Sequence, residues 1–303
     1  MRVRTLFKIV LYPFYFIYKK ALFCYAKKNP QKWAEKLYKE SFGRSIDWNK
    51  PTEFNEKIRW MQFNTDTSQW SSLADKYGVR KYLMAKGYEH ILVKLYGKWD
   101  KADDIDFESL PNSFILKTNH GYGEIIIVKD KSKADLWEIR KKMDYYLNTP
   151  FGIWSAEPHY LRIKPCIIAE ELLFQDGGIS TSLIDYKFYC FNGVPVACGV
   201  FYDRNLEAHN KGMTPYDMEW VKHEEWRREN IVKPCKDIPK PQTLELMKKA
   251  CKDLASQFPF VRMDFYEVKG KLYFGEFTFT PAALSGGSFS KSVMHEFTTK
   301  LHL

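Results

Sequence analysis

The chain has 303 residues, 45% of them apolar and 17% aromatic, enough to bury a large core in one multi-lobed domain or two, and this excludes a disordered protein. A formal charge of +10 points to anionic partners, whether nucleotide phosphates, lipid headgroups, phosphorylated glycans or nucleic acid. The six cysteines, Cys24, Cys166, Cys190, Cys198, Cys235 and Cys251, show no C-x-x-C spacing and no dense framework, which argues against zinc and disulfide scaffolds and for a reducing compartment.

Residues 1–25 are basic and aromatic, but Lys8, Pro13, Lys19 and Lys20 interrupt them. Their longest uncharged run, Ile9 to Tyr18, has ten residues, where a bilayer span needs roughly 20. No small-residue cleavage site follows. Two readings stand: an interfacial segment with its basic side chains at anionic headgroups, or a helix packed on the domain. From Asn29 to Phe63 the pattern is helical, carried first by Trp33, Leu37 and Tyr38. It breaks at Phe42-Gly43 and resumes near Pro51. Leu73, Tyr77, Val79, Tyr82 and Leu83 mark one more helix, ended by Gly87, and Ile91 to Leu95 reads as a short strand.

Phe114 to Lys117 is a strand, Asn119 to Gly123 a glycine-bearing turn and Glu124 to Val128 a second strand. Because the loop joins two strands and no helix, Rossmann and Walker sites do not fit it. It suits a hairpin flap whose N–H groups close over phosphates, with Lys117 beneath, although ordinary hairpin turns use the same residues. A helix is expected over Ser132 to Leu147, capped by Ser132 with Asp135 three residues on. Lys164 to Leu173 reads as a buried strand carrying Glu170-Glu171, and residues 175–178 as a turn. A hairpin about Asn192-Gly193 follows, with Asp185, Lys187 and Tyr189 alternating against Ile184, Phe188 and Cys190. Asn205 to Lys240 is polar with little periodicity, and Pro241 to Phe258 is an amphipathic helix.

The most informative stretch is VRMDFYEVKGKLYFGEFTFTP, Val261 to Pro281. Two alternating strands flank a Lys269-Gly270 turn, and antiparallel pairing about it places Asp264 opposite Glu276. Two carboxylates face to face call for a cation between them, and a hard divalent ion such as Mg²⁺ takes carboxylate and phosphate oxygens together. Arg262 shares the face of Asp264 and suits phosphate or developing negative charge. A plain surface hairpin with lysine-paired acids is the structural alternative.

Taken together, KPTEFNEKIRWMQF, LADKYGVRKYL, FILKTNHGYG, DYKFYCFNG and VRMDFYEVKGKLYFGEFTFTP resemble the ATP-grasp superfamily, specifically its teichuronopeptide-biosynthesis (TupA-like) branch, from about Asn49 to Phe289. The resemblance implies an α+β, ATP-grasp fold with a nucleotide held between two α+β lobes. In this reading residues 1–28 are an N-terminal segment, 29–108 an N-terminal lobe, 109–172 a central lobe and 173–303 a C-terminal lobe. It implies ATP and Mg²⁺ as cofactors. Lys76, or Arg80, and Lys117 reach the phosphates; His120, Gly121 and Gly123 belong to the flap; Ala169 to Leu172 forms the hinge, with either Glu170 or Glu171 on the ribose. Asp264 and Glu276 match the metal ligands, and Arg262, with Lys117, the catalytic cations. Thr278 stands where the family carries a third ligand, an Asn, which leaves one or two ions open. Lys187 and Arg204 are further cationic candidates.

The activity so implied is an ATP-dependent carboxylate-amine ligase working through an acyl phosphate in cell-surface polysaccharide, capsule or teichuronopeptide-like biosynthesis. Its substrates are a carboxylate-bearing glycan or small-molecule acceptor and an amine donor, and its place is cytoplasmic, peripheral to the inner face of the membrane through residues 1–25. A sugar or glycan kinase would use the same residues. A glycosyltransferase rests only on the D-x-D at Asp104-Ile105-Asp106, and no nucleic-acid recognition motif is present. His295-Glu296 lacks an H-E-x-x-H partner, and no G-x-S-x-G occurs.

Overall fold

The computed structural model describes residues 17–175, 178–205, 210–229 and 234–303. Residues 1–16 of the basic segment, and 176–177 of the turn at 175–178, lie outside them. Residues 17–28 form helix α1, with α2 (Pro30–Phe42) directly after. Leu22, Phe23 and Ala26 of α1 pack with Trp33, Ala34, Ile153 and Ala156, while Ile17, Tyr18 and Tyr25 stay exposed, so the described part of this segment is docked by one face. Proline in the first turn of α2 and Gly43 at φ +73° closing it are the start and stop signals of that helix.

Helix α3 (Phe54–Asn64) begins three residues after Pro51. Its cap is Glu56, whose carboxylate accepts from the Thr52 and Glu53 N–H groups at 3.0 and 3.2 Å. The single helix expected through Leu83 is two, α4 (Ser68–Ala74) and α5 (Val79–Ala85). Asp75 turns the chain between them by accepting from the Tyr77 N–H at 2.8 Å. The strand expected at 91–95 is a tight helical turn with Ile91 and Val93 buried, and pairing starts only at β1 (Leu95–Trp99).

Strands β1, β2 (Phe114–Thr118), β3 (Ile125–Val128) and β4 (Ile167–Glu170) make an antiparallel sheet in the order β1-β4-β2-β3. Helix α6 (Leu136–Asn148) covers it through Ile139 and Met143. Its cap is Asp135, which accepts from the Trp137 and Glu138 N–H groups at 3.1 and 3.0 Å; the N–H of Ser132, the expected cap, instead donates to Asp130.

The second sheet, also antiparallel, has the order β7-β6-β5-β8-β9, from β5 (Asp185–Phe191), β6 (Val194–Asn205), β7 (Asn210–Tyr216), β8 (Val261–Val268) and β9 (Lys271–Thr278). Its hairpins turn at Asn192-Gly193 and Lys269-Gly270, all four at positive φ, as two-residue turns require. β7 lies in the stretch that showed no periodicity, because Gly212 and Pro215 interrupt its alternation. Helix α7 (Leu244–Ala255) covers one face with Leu244, Met247, Ala250, Cys251 and Leu254, each burial stabilising by about 1–3 kcal/mol. Helix α8 (Lys291–Lys300) closes the core with Val293 and Phe297. Strand alternation turns Asp185, Lys187, Arg262 and Asp264 to the opposite face, and that face meets the first sheet across a cleft.

Candidate active site

The register of β8 and β9 pairs Arg262 with Thr278 and Asp264 with Glu276, and then slips by one at a bulge at Gly275. A Cβ at Gly275 would stand 2.9 Å from the Asp264 carbonyl oxygen, so glycine is needed for this approach. Arg262 binds Asp264 two-pronged: Nε donates to Oδ1 and Nη2 to Oδ2, both at 2.7 Å. Nη2 also reaches Glu276 Oε1 at 3.0 Å and Thr278 Oγ1 at 2.9 Å, and the Thr278 hydroxyl donates to Glu276 Oε1 at 2.9 Å. Lys187 bonds Asp264 Oδ2 and stands 3.4 Å from Asp185 Oδ2, which Arg204 also binds. Burial alone would raise the Asp264 carboxyl; Arg262 and Lys187 more than offset it and hold the group below its ordinary value. Burial likewise pulls Arg262 down, and Asp264 outweighs it.

At the other end of the cleft Glu170, the last residue of β4, accepts from Lys117 at 2.5 Å and Arg80 at 3.3 Å. Arg80 also donates to the Val93 carbonyl at 2.9 Å. Leu92, Val93, Ile115 and Phe274 form the apolar wall beside these charges. Glu171 and Leu172 leave the cleft wall, the N–H of Glu171 bonding the Lys94 carbonyl at 2.9 Å. The loop between β2 and β3 sends Tyr122 and Gly123 into the cleft, and Tyr122 comes within hydrogen-bonding reach of Arg204 from the opposite sheet. Lys76 bonds the Gly121 carbonyl from below; burial lowers its pKa, against the charge of Glu276. His120 does not line the cleft: its Nε2 meets the Thr149 carbonyl at 3.2 Å, and its Nδ1 is buried without a partner. Asp104-Ile105-Asp106 does not line it either, since Asp106 caps the N–H groups of Glu108 and Ser109 and Arg140 grips the Ile105 carbonyl.

The structure therefore brings together Lys76, Arg80, Lys117, Glu170, Lys187, Arg204, Arg262, Asp264, Glu276 and Thr278. It adds one residue that sequence reasoning passed over: Asp185, fully buried, with Oδ1 lacking any hydrogen-bond partner. Its place on one face of β5 with Lys187 was visible in the sequence, but its role as anchor of two cations was not.

A family model for TupA-like ATP-grasp proteins matches residues 56–298, most of the chain. The chain belongs to that family. Its fold is therefore the ATP-grasp fold, built here from the two antiparallel sheets. Among solved structures it is similar to D-alanine–D-alanine ligase from Bacillus anthracis complexed with ATP, at 14% identity over 76% of this chain and 65% of that one, TM-score 0.48. It is also similar to L-amino acid ligase from Bacillus licheniformis, at 12% identity over 82% of this chain and 53% of that one, TM-score 0.47. The chain thus spans less than two thirds of the length of either. No curated protein matches it.

A divalent ion suits the donors that face each other on β8 and β9. Asp264 and Glu276 offer hard carboxylate oxygens, with the Thr278 hydroxyl beside them, and Arg262 stands between the two acids where positive charge is required. Among the described residues no three His, Cys, Asp or Glu side chains gather into a metal cluster. No described helix is long and apolar enough to cross a membrane.

Proposed function

We propose that the protein is an ATP- and Mg²⁺-dependent carboxylate-amine ligase of cell-surface polysaccharide, capsule or teichuronopeptide-like biosynthesis. The observation that carries this reading is a single cleft in which Lys76, Arg80, Lys117, Lys187 and Arg204 face Glu170, Asp185, Asp264 and Glu276, drawn from both sheets and from the segment of α4 and α5. Five cations against four carboxylates match a polyphosphate accompanied by a divalent ion better than they match a neutral ligand.

In this reading Lys76 and Lys117 hold the phosphates, with Arg80 behind them, and the Tyr122-Gly123 flap covers them. Glu170, which points into the cleft, takes the ribose in preference to Glu171. Asp264, Glu276 and Thr278 hold Mg²⁺, which when bound spreads the phosphate charge. Arg262, Lys187 and Arg204 then steady the phosphoryl group as its bond to ADP breaks and a bond to the acceptor carboxylate forms. An amine next displaces phosphate, forming the C–N bond and losing a proton. A carboxylate-bearing glycan fits the family's teichuronopeptide character. Residues 1–25 hold Arg2, Arg4, Lys8, Lys19 and Lys20 and no acid, which supports a peripheral position at an anionic inner membrane face.

Calorimetry of Mg²⁺-dependent ATP binding, on native protein and on Lys117→Ala and Glu276→Ala, tests the site. Both variants are expected to bind at least about tenfold more weakly, the worth of one charged contact. ADP release is then screened with uronic acids and amino acids. Binding insensitive to both substitutions would remove the ligase reading, and a phosphorylated acceptor in place of an amide would make the protein a kinase.

A further inference from the structure

Helix α3 is a motif that the cleft does not absorb, yet Lys57, Arg59 and the Phe54 N–H reach from it to the end of the chain. Lys57 donates to the Thr298 and Leu301 carbonyls at 2.9 and 2.7 Å, and the Phe54 N–H to the Thr298 hydroxyl at 2.9 Å. Arg59 is fully buried. Its Nη1 donates to Gln62 at 2.9 Å and the Ala156 carbonyl at 2.6 Å, and its Nη2 to the Ser155 carbonyl at 3.1 Å and the Ala283 carbonyl at 2.9 Å.

That last contact falls on a run of successive non-glycine residues at positive φ. Ala282, Ala283 and Leu284 have φ of +52°, +47° and +59°, three successive non-glycine residues in the left-handed region. L-residues visit this region singly, because the Cβ crowds the carbonyl oxygen. Such strain persists only where the surroundings over-determine it, and it gathers at functional sites. Here the surroundings are Arg59 on one side and, on the other, Thr280, whose hydroxyl donates to the buried Glu157 carboxylate. The turn begins four residues after Thr278 on the strand that carries Glu276, and Glu157 lies near enough to feel the charge of Glu276.

We propose that Arg59 is a positioning residue for phosphoryl transfer: it holds residues 282–284 in a left-handed turn that sets the exit of β9, and with it the wall against which the acceptor meets Arg262 and Glu276. The proposal rests on the ligase reading. It accounts for why the α3 motif and the β8–β9 hairpin motif occur in one chain, since the first holds the second in its working shape across 224 residues of sequence.

Glycine separates strain from fold, because it adopts the left-handed region without cost. In the double variant Ala282→Gly/Ala283→Gly, which keeps the left-handed turn and the Arg59 contact but removes the strain, the melting temperature is expected to rise while Mg·ATP affinity and ADP release both stay within about twofold of native. No rise in melting temperature, or a loss of ADP release of about tenfold with the turn unstrained, would overturn the proposal. Arg59→Lys, which keeps the charge but not the forked reach to Ala283, is expected to lose turnover without losing Mg·ATP binding; native turnover in that variant would overturn it as well. If native protein neither binds Mg·ATP nor releases ADP, the ligase reading itself fails, a result distinct from both.

Discussion

Two buried carboxylates lie at the two ends of one polar seam, and their environments drive them in opposite directions. Asp264, in the cleft, sits within hydrogen-bonding distance of Arg262 and Lys187 and is held below its ordinary pKa despite burial. Glu157, beneath the turn at 282–284, is pushed above its ordinary value by burial; the charge of Arg59 acts on it, but the hydrogen bonds of Arg59 go to Gln62 and main-chain carbonyls. The cleft is thus a charged lattice whose members hold one another in place, and the region below it is a neutralising clamp built on the backbone. Charge assembled in pairs at an open face is available to a ligand, whereas charge spent on carbonyls only fixes shape.

The sharpest way to break this contrast is Arg262→Met. It leaves Asp264 with Lys187 alone and Glu276 with the Thr278 hydroxyl. Removing one partner of a buried ion pair costs about 3–5 kcal/mol, of which the remaining Lys187 contact offsets a part. Urea denaturation at neutral pH should show that loss, with part of it recovered when Asp264→Asn is added. A loss under about 1 kcal/mol would mean that water already screens the pair, as at an exposed surface, and that the cleft is no lattice.

His159, in the clamp, gives the next largest effect. Both ring nitrogens are buried without partners, and burial, with Arg162 and Arg59 nearby, lowers its pKa to about 3. The unfolded chain takes up that proton near pH 6.5 and the folded chain does not, so its stability is complete above 6.5 and falls as pH drops toward 3. Full loss would be on the order of 5 kcal/mol. His159→Phe keeps the edge-on contact with Trp70 and removes the titration. Its melting temperature is expected to exceed the native one by more at pH 5 than at pH 8, and parallel pH profiles would show that His159 is not the group responsible.

How much of this was legible in the sequence differs between the two regions for a physical reason. Strand alternation and a two-residue turn fixed Asp264 opposite Glu276 and Arg262 beside them, because pairing about Lys269-Gly270 admits few registers. The motifs that carry Lys76, Lys117 and Lys187 likewise placed their cations on the cleft. The clamp was not legible: Arg59, Glu157 and the Thr280–Ala283 turn lie in three separated segments with no local periodicity linking them. Three successive left-handed residues in Ala-Ala-Leu contradict local preference outright. Asp185 stood between the two cases, its face evident and its pairing with Arg204 dependent on the course of β6. β7 was missed because its signal lies in the ladder with β6, not in its own residues.

The smallest effect belongs at the rim, where the two regimes give way to solvent. Tyr122 is 64% exposed, and its reach to Arg204 is the flap's link to the opposite sheet. A hydrogen bond to a charged group contributes about 1.5–3 kcal/mol when buried, but water competes at this exposure, and about 0.5 kcal/mol is the scale of an exposed charged contact. Tyr122→Phe should therefore speed release of Mg·ATP about twofold in a stopped-flow chase while leaving the melting temperature unchanged. A tenfold or greater effect would show that the flap seals the cleft through this side chain and excludes water there, and the rim would then belong with the charged lattice.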